Sequence, residues 1–226
     1  RIIASNRITV SHPWEELSDF ELLKISGLYK VDKTTNKEGF TLAAILLFGK
    51  DETIVNALPH HKTDLILRKI NLDRYDDREI VSTNLIDSYY KMMEFVTKHL
   101  NDPFYLEGDM RISLRDKIFR EAVANSLIHR EYSSAYVAKM IIEKDKVVFE
   151  NANIPHSYGE LKPSSFTPYP KNPNIAKVFR EIGFADELGS GVKNLYKYSK
   201  AYGGSDPIIT EGEVFKIVVQ TQLETT

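Results

Sequence analysis

Glu121, Asn125 and His129 recur every four residues in the run Phe119-Arg120-Glu121-Ala122-Val123-Ala124-Asn125-Ser126-Leu127-Ile128-His129-Arg130. On a helix this spacing stacks the three along one side, within an arc of roughly 80°. Ile118, Ala122 and Ile128 share the arc, while Phe119, Val123 and Leu127 take the opposite side. The helix is therefore apolar nearly all round, with one polar stripe set into it. Burying a carboxylate and an amide is costly unless something pairs with them. A ligand or metal would serve, and so would hydrogen bonds from neighbouring loops. If a ligand serves, the types fit one chemistry. The Glu121 carboxylate can orient or deprotonate a water, and the Asn125 amide oxygen can ligate a hard cation. Mg²⁺ keeps several waters and substrate phosphates, so one protein ligand is enough.

Two further segments have types that suit a phosphorylated ligand. Glu187-Leu188-Gly189-Ser190-Gly191 precedes a helix, where glycines admit a close backbone approach and the helix N-terminus favours negative charge. Glu150-Asn151-Ala152-Asn153-Ile154-Pro155 follows a strand, and its side chains can hydrogen-bond a base or ribose. Each also reads as an ordinary turn. His129-Arg130 can contact phosphate or close the helix end. The pair His60-His61 has no acid nearby to complete a metal site, and Tyr196, Tyr198 and Tyr202 read as packing. A Walker-type phosphate loop is missing, because Gly49-Lys50 runs into Asp51 without the leading glycine.

The elements that must position these residues are legible in outline. Residues 1–14 read as an extended entry with a turn at Pro13-Trp14. Leu17, Phe20, Leu23 and Leu28 suggest a first helix capped by Ser18. Residues 41–49 favour a short buried helix, with Thr41 at its front and Gly49 at its end. Residues 63–72 alternate as a strand, and residues 84–100 form a long helix with Leu85, Tyr89, Met92, Val96 and Leu100 on its packed side. A break at Asn101-Asp102-Pro103 follows. Ser113 then caps the striped helix over residues 113–130, with Asp116 in its first turn. Strands at 136–143 and 146–150 are joined tightly at Lys144-Asp145. A loop over residues 151–172 holds Pro155, Pro163, Pro168 and Pro170, and Pro173 opens a helix to about Ile182. A helix over 190–202 and a strand over 214–222 close the chain. This order predicts an α+β sandwich.

The sequence has 226 residues, 42% of them apolar and 27% charged, with a net charge of −2 and a pI of about 6.4. That composition is ordinary for a globular protein and gives no basic excess for gripping duplex nucleic acid. With no cysteine, disulfides, thiolate-held metals and thiol catalysis are excluded. The longest apolar stretch, residues 42–48, is far short of the ~18 residues of a membrane span. A cytoplasmic protein without a secretory leader is expected, and Arg1 in first place suggests a fragment or a processed form.

Taken in order, the runs at 119–132, at 150–155 and from Asn172-Pro173-Asn174-Ile175-Ala176 to Gly191 resemble bacterial proteins labelled RecG-related ATP-dependent DNA helicase or divergent AAA-4 transcriptional regulator. Leu46-Leu47-Phe48-Gly49-Lys50 looks like the segment that precedes that region in the same proteins, so the resemblance covers residues 39–219. The region is similar to the gyrase–chaperone–histidine kinase–MutL ATPase superfamily. The resemblance implies an ATPase-type α/β sandwich over residues 103–226, a helical and strand linking segment over 15–102, and at 1–14 the trailing edge of an upstream DNA-binding domain. It implies Glu121 as water activator, Asn125 as Mg²⁺ ligand, Gly189, Ser190 and Gly191 on the phosphates, and Glu150 and Asn151 where the superfamily has its adenine-reading Asp. The glycines that follow that Asp are not present here. The expected function is a regulatory Mg-ATP-binding domain of a DNA-binding transcriptional regulator, with at most weak ATPase activity and no helicase motor. The alternative is a degenerate ATPase fold that binds no nucleotide and serves as a homo-oligomerisation or protein-interaction module.

Overall fold

Four of the described helices start from a short polar side chain that caps them. The computed structural model describes residues 1–7, 12–71, 73–162, 170–186 and 190–221. After α1 (Ile2–Ser5), Ser18 and Glu21 form a reciprocal capping box at the head of α2 (Asp19–Ile25). A small hairpin, β1 (Tyr29–Val31) and β2 (Glu38–Phe40), leads to Thr41, whose hydroxyl accepts the Ala44 N–H at the start of α3 (Leu42–Phe48). A Cβ on Gly49 would overlap the Ile45 carbonyl, so only glycine lets the chain leave α3 so closely and enter α4 (Asp51–Ala57). Strands β3 (Thr63–Arg68) and β4 (Asp77–Val81) precede α5 (Leu85–His99), capped by Asn84. The short pair β5 (Leu106–Glu107) and β6 (Met110–Arg111) leads to Ser113, whose Oγ accepts the Asp116 N–H at 3.0 Å and starts α6 (Leu114–Ile128).

The remaining elements are β7 (Ala138–Glu143), β8 (Lys146–Ala152), β9 (Gly159–Glu160), α7 (Pro173–Glu181), α8 (Ser190–Gly203), β10 (Ile208–Glu211) and β11 (Val214–Gln220). Seven strands form one mixed sheet in the order β4-β3-β7-β8-β11-β10-β9. Among the described strand pairs only β3–β7 is parallel, which obliges the chain to cross over through α5 and α6 between them. Helices α5, α6 and α8 pack against the sheet. Phe149 of β8 meets Phe119 of α6, and Phe119 meets Tyr202 of α8. By the two-residue alternation of strands, Val147, Phe149 and Asn151 face these helices, whereas Val148 and Glu150 face the other way.

The α+β class expected from the order of elements stands. Several local expectations change. The start of the chain is helical at Ile2–Ser5 rather than extended. Strand β3 stops at Arg68, and Leu72 lies outside the described residues. The chain crosses Asn101-Asp102-Pro103 without leaving its core: β3 pairs with β7, and one apolar cluster runs from Ala4 to Val219. Strand β8 continues to Ala152, held by antiparallel pairing to β11, so Glu150 and Asn151 lie in a strand and not in a loop.

Candidate functional site

Helix α6 stacks Glu121 and Asn125 as its spacing requires, and Asn125 Nδ2 donates to Glu121 Oε1 at 2.7 Å. Since a carboxylate only accepts, this bond fixes the amide orientation and leaves Asn125 Oδ1 as an acceptor. The Asp186 backbone also hydrogen-bonds the carboxylate. A third contact comes from α8, where a Cβ on Gly191 would overlap the Glu121 carboxyl group outright. Glu121 is 9% exposed. Burial pushes its pKa up to about 7, and the nearby Asp186 charge adds to this against the Asn125 bond and Arg120. A carboxyl poised there can hold or release a proton near neutrality.

His129 ends the stripe as the C-cap residue of α6. Its ring stacks on Phe215 with centroids 5.4 Å apart. Burial and the Lys171 ammonium hold it down at about 4, so the imidazole is neutral at pH 7. Asn151 is fully buried, and its Nδ2 donates to the carbonyls of His129 at 3.1 Å and Ala152 at 3.2 Å. Its Oδ1 has no hydrogen-bond partner, and neither has Oδ1 of buried Asn153 two residues on. Asn151 thus stands on the helix side of the sheet, at the end of the stripe.

Glu150 does not join them. It lies on the far face, where Lys216 Nζ sits 3.0 Å from Oε1 and the Tyr136 hydroxyl donates to Oε2 at 3.3 Å. The alternation of β8 thus turns the Glu150 side chain away from α6 and from the Glu121–Asn125 pair. Glu187, Leu188 and Gly189 lie outside the described residues, as does the side chain of Ser190. Among the described residues, no cluster of three or more His, Cys, Asp or Glu could hold a metal.

A second set of polar residues escaped notice in the sequence. Glu211 of β10 accepts the His156 N–H at 2.9 Å, the Ser157 hydroxyl at 3.1 Å and Lys171 Nζ at 3.0 Å. Burial alone would raise Glu211, but these donors outweigh it and hold the carboxyl at about 2. Lys171 also donates to the Ile154 carbonyl. Together they tie the segment after β8 to β10. Next to Lys171, Asn172 bridges the start of α7 to the end of α6, donating to Ile128 O at 2.9 Å and Arg130 O at 2.8 Å. No periodic pattern flags these residues, because their partners are distant in the chain.

Comparison with known proteins bears on this arrangement in three ways. The model of a domain family of unknown function (DUF8451) matches residues 4–64, upstream of the whole stripe. No curated protein matches. The crystal structure of the DIP2311 protein from Corynebacterium diphtheriae is similar in fold, with a TM-score of 0.70 and 20% identity. The likeness covers 98% of this chain but 44% of that one, so this chain spans less than half the length of its structural neighbour. No helix among the described residues is long and apolar enough to cross a membrane.

Proposed function

We propose that Glu121, Asn125 and the glycine start of α8 form a regulatory nucleotide site of the ATP type, within a sandwich similar to the gyrase–histidine kinase group. The observation that carries this reading is the meeting of Gly191 with Glu121. The polar stripe and the glycine run before α8 are both suited to a phosphorylated ligand, and Gly191 of that run lies against Glu121 of the stripe. Asn125 suits Mg²⁺, since its amide nitrogen is spent on Glu121 and the partly buried Oδ1 remains as a hard oxygen donor. Bound Mg-ATP would supply phosphates whose charge the cation balances. Glu121, poised at about 7, can take a proton from a water. Any hydrolysis is slow, because Gly191 and Asp186 close over that carboxylate and a water must displace them first. In the full-length protein, DNA contact belongs to an upstream domain and this region regulates it.

A second reading draws on Glu150. With its carboxylate on the far face and paired to Lys216, the base-reading position of the superfamily is not filled. The domain would then be a retired ATPase fold that serves as an oligomerisation or protein-interaction module. Calorimetric titration with Mg-ATP decides between the two. Saturable binding that Asn125→Ala abolishes supports the nucleotide site. Absence of heat at millimolar nucleotide, with a dimer that persists in Asn125→Ala, leaves the second reading.

A further inference from the structure

A cleft of about 400 Å³ opens between α1, α5, α6 and the turn after α7, separate from the Glu121 site. Its floor is aromatic: Tyr89 and Phe184 stack with centroids 3.9 Å apart at 7°, and both are buried. Ile3, Met93 and Ile182 extend the apolar lining. Two exposed guanidiniums, Arg7 and Arg120, also line it. Arg120 donates through Nη2 to Gly183 O at 2.7 Å and through Nε to the Tyr89 hydroxyl at 3.3 Å. Arg7 Nη1 donates to the carbonyls of Arg180 and Glu181, and its side chain lies against Gly183, where a Cβ would displace it.

The direct hydrogen-bond partners of both guanidiniums are neutral, and the neighbouring Glu121 carboxylate acts on Arg120 through charge alone. Asp116 is the one carboxylate among the described lining residues, and its Oδ1 already accepts from Arg115 at 3.1 Å. The cleft therefore presents two held guanidiniums, with N–H donors to spare, above an apolar and aromatic floor. A guanidinium matches a carboxylate with two parallel hydrogen bonds. A volume of this size is at the small end of ligand pockets, and an apolar lining with a few convergent polar groups is their usual composition.

We infer that this cleft binds a small carboxylate carried on an aromatic or branched aliphatic body. Two sources share that chemistry, a free organic acid and the C-terminus of a peptide. The inference does not depend on the nucleotide reading.

The test is calorimetric titration of the whole chain with three probes: 3-phenylpropionate, its uncharged amide, and an N-acetylated tripeptide ending in phenylalanine. The acid binds one-to-one, and the amide binds at least about tenfold more weakly. Thr97→Trp, which fills the cleft from an exposed position on α5, abolishes the heat, and Arg120→Gln weakens binding by a similar factor. Asn125→Ala binds as the parent does, which separates this site from the nucleotide site. Tighter binding of the tripeptide assigns a peptide end, and tighter binding of the acid assigns a small molecule. Equal binding of acid and amide overturns the inference, as does binding that survives Thr97→Trp or no saturable heat from any probe at millimolar concentration. Should Arg120→Gln fail to fold, the Thr97→Trp result still decides.

Discussion

Gly191 lies so close to Glu121 that any side chain on the glycine would take the space of the carboxylate. The Cα of one helix start thus covers the acid of another helix, and Asn125 and the Asp186 backbone hold that acid in place. Gly191→Ala forces the carboxylate off Asn125 and leaves it with unpaired lone pairs. We expect a loss of about 1–3 kcal/mol despite the better helix propensity of alanine. In a Glu121→Ala background there is no carboxylate to displace, and the same change becomes neutral or stabilising. A double-mutant cycle in urea measures the coupling. Additive effects would show that the two residues do not share this space.

Glu121 also sets a pH dependence. Its folded pKa, about 7, lies above the ordinary carboxylate value of 4.5, so the folded state binds the proton more tightly than the unfolded state. The stability contributed is complete below about 4.5 and is lost as pH rises through 7. Glu121→Gln, which stays neutral, should be more stable than the parent at pH 8 by on the order of 3 kcal/mol, with the gap closing below pH 4.5. Thermal melts from pH 4.5 to 8.5 give the comparison. A constant difference across that range would rule out a raised pKa at Glu121.

The Glu211–Lys171 pair works in the opposite sense. Glu211 is held at about 2, well below its ordinary range. Its contribution is present above about 4.5 and is lost as pH falls through 2. Both side chains are nearly covered, at 10% and 14% exposure, so removing one partner leaves a buried charge. Glu211→Gln should destabilise by about 3 kcal/mol. The His156 amide should lose hydrogen-exchange protection before the α6 amides do, because Glu211 holds its N–H directly.

Asn172 joins two helices through a single amide nitrogen. Asn172→Asp keeps the shape, removes both N–H donors and places a carboxylate against the Ile128 and Arg130 carbonyls. A loss of about 2–3 kcal/mol is expected in denaturant unfolding at pH 7, shrinking as the new acid is protonated at low pH. No measurable loss at pH 7 would mean that the bridge is unimportant.

Local chemistry accounts for what could be read without coordinates. Ser18, Thr41 and Ser113 cap their helices because a short side-chain oxygen reaches the third N–H onward whatever the rest of the fold does. The Glu121–Asn125 stack follows in the same way from helical pitch. Residues 1–7 went the other way, since one short helical turn gives too little periodicity to detect. Strand β8 was cut short at Glu150 because Glu-Asn-Ala-Asn has no strand signature, and only pairing with β11 makes it one.

The sequence by itself determined the α+β class, most helix boundaries and the polar stripe on α6, all of which depend on neighbours within a few residues. The tertiary structure alone decided which distant groups meet that stripe. It set Gly191 on Glu121, turned Glu150 to the far face through the register of β8, and joined β3 to β7 across the break at Pro103. The reason is physical: capping and helical pitch act over one or two turns, whereas strand register and burial are settled by segments far apart in the chain.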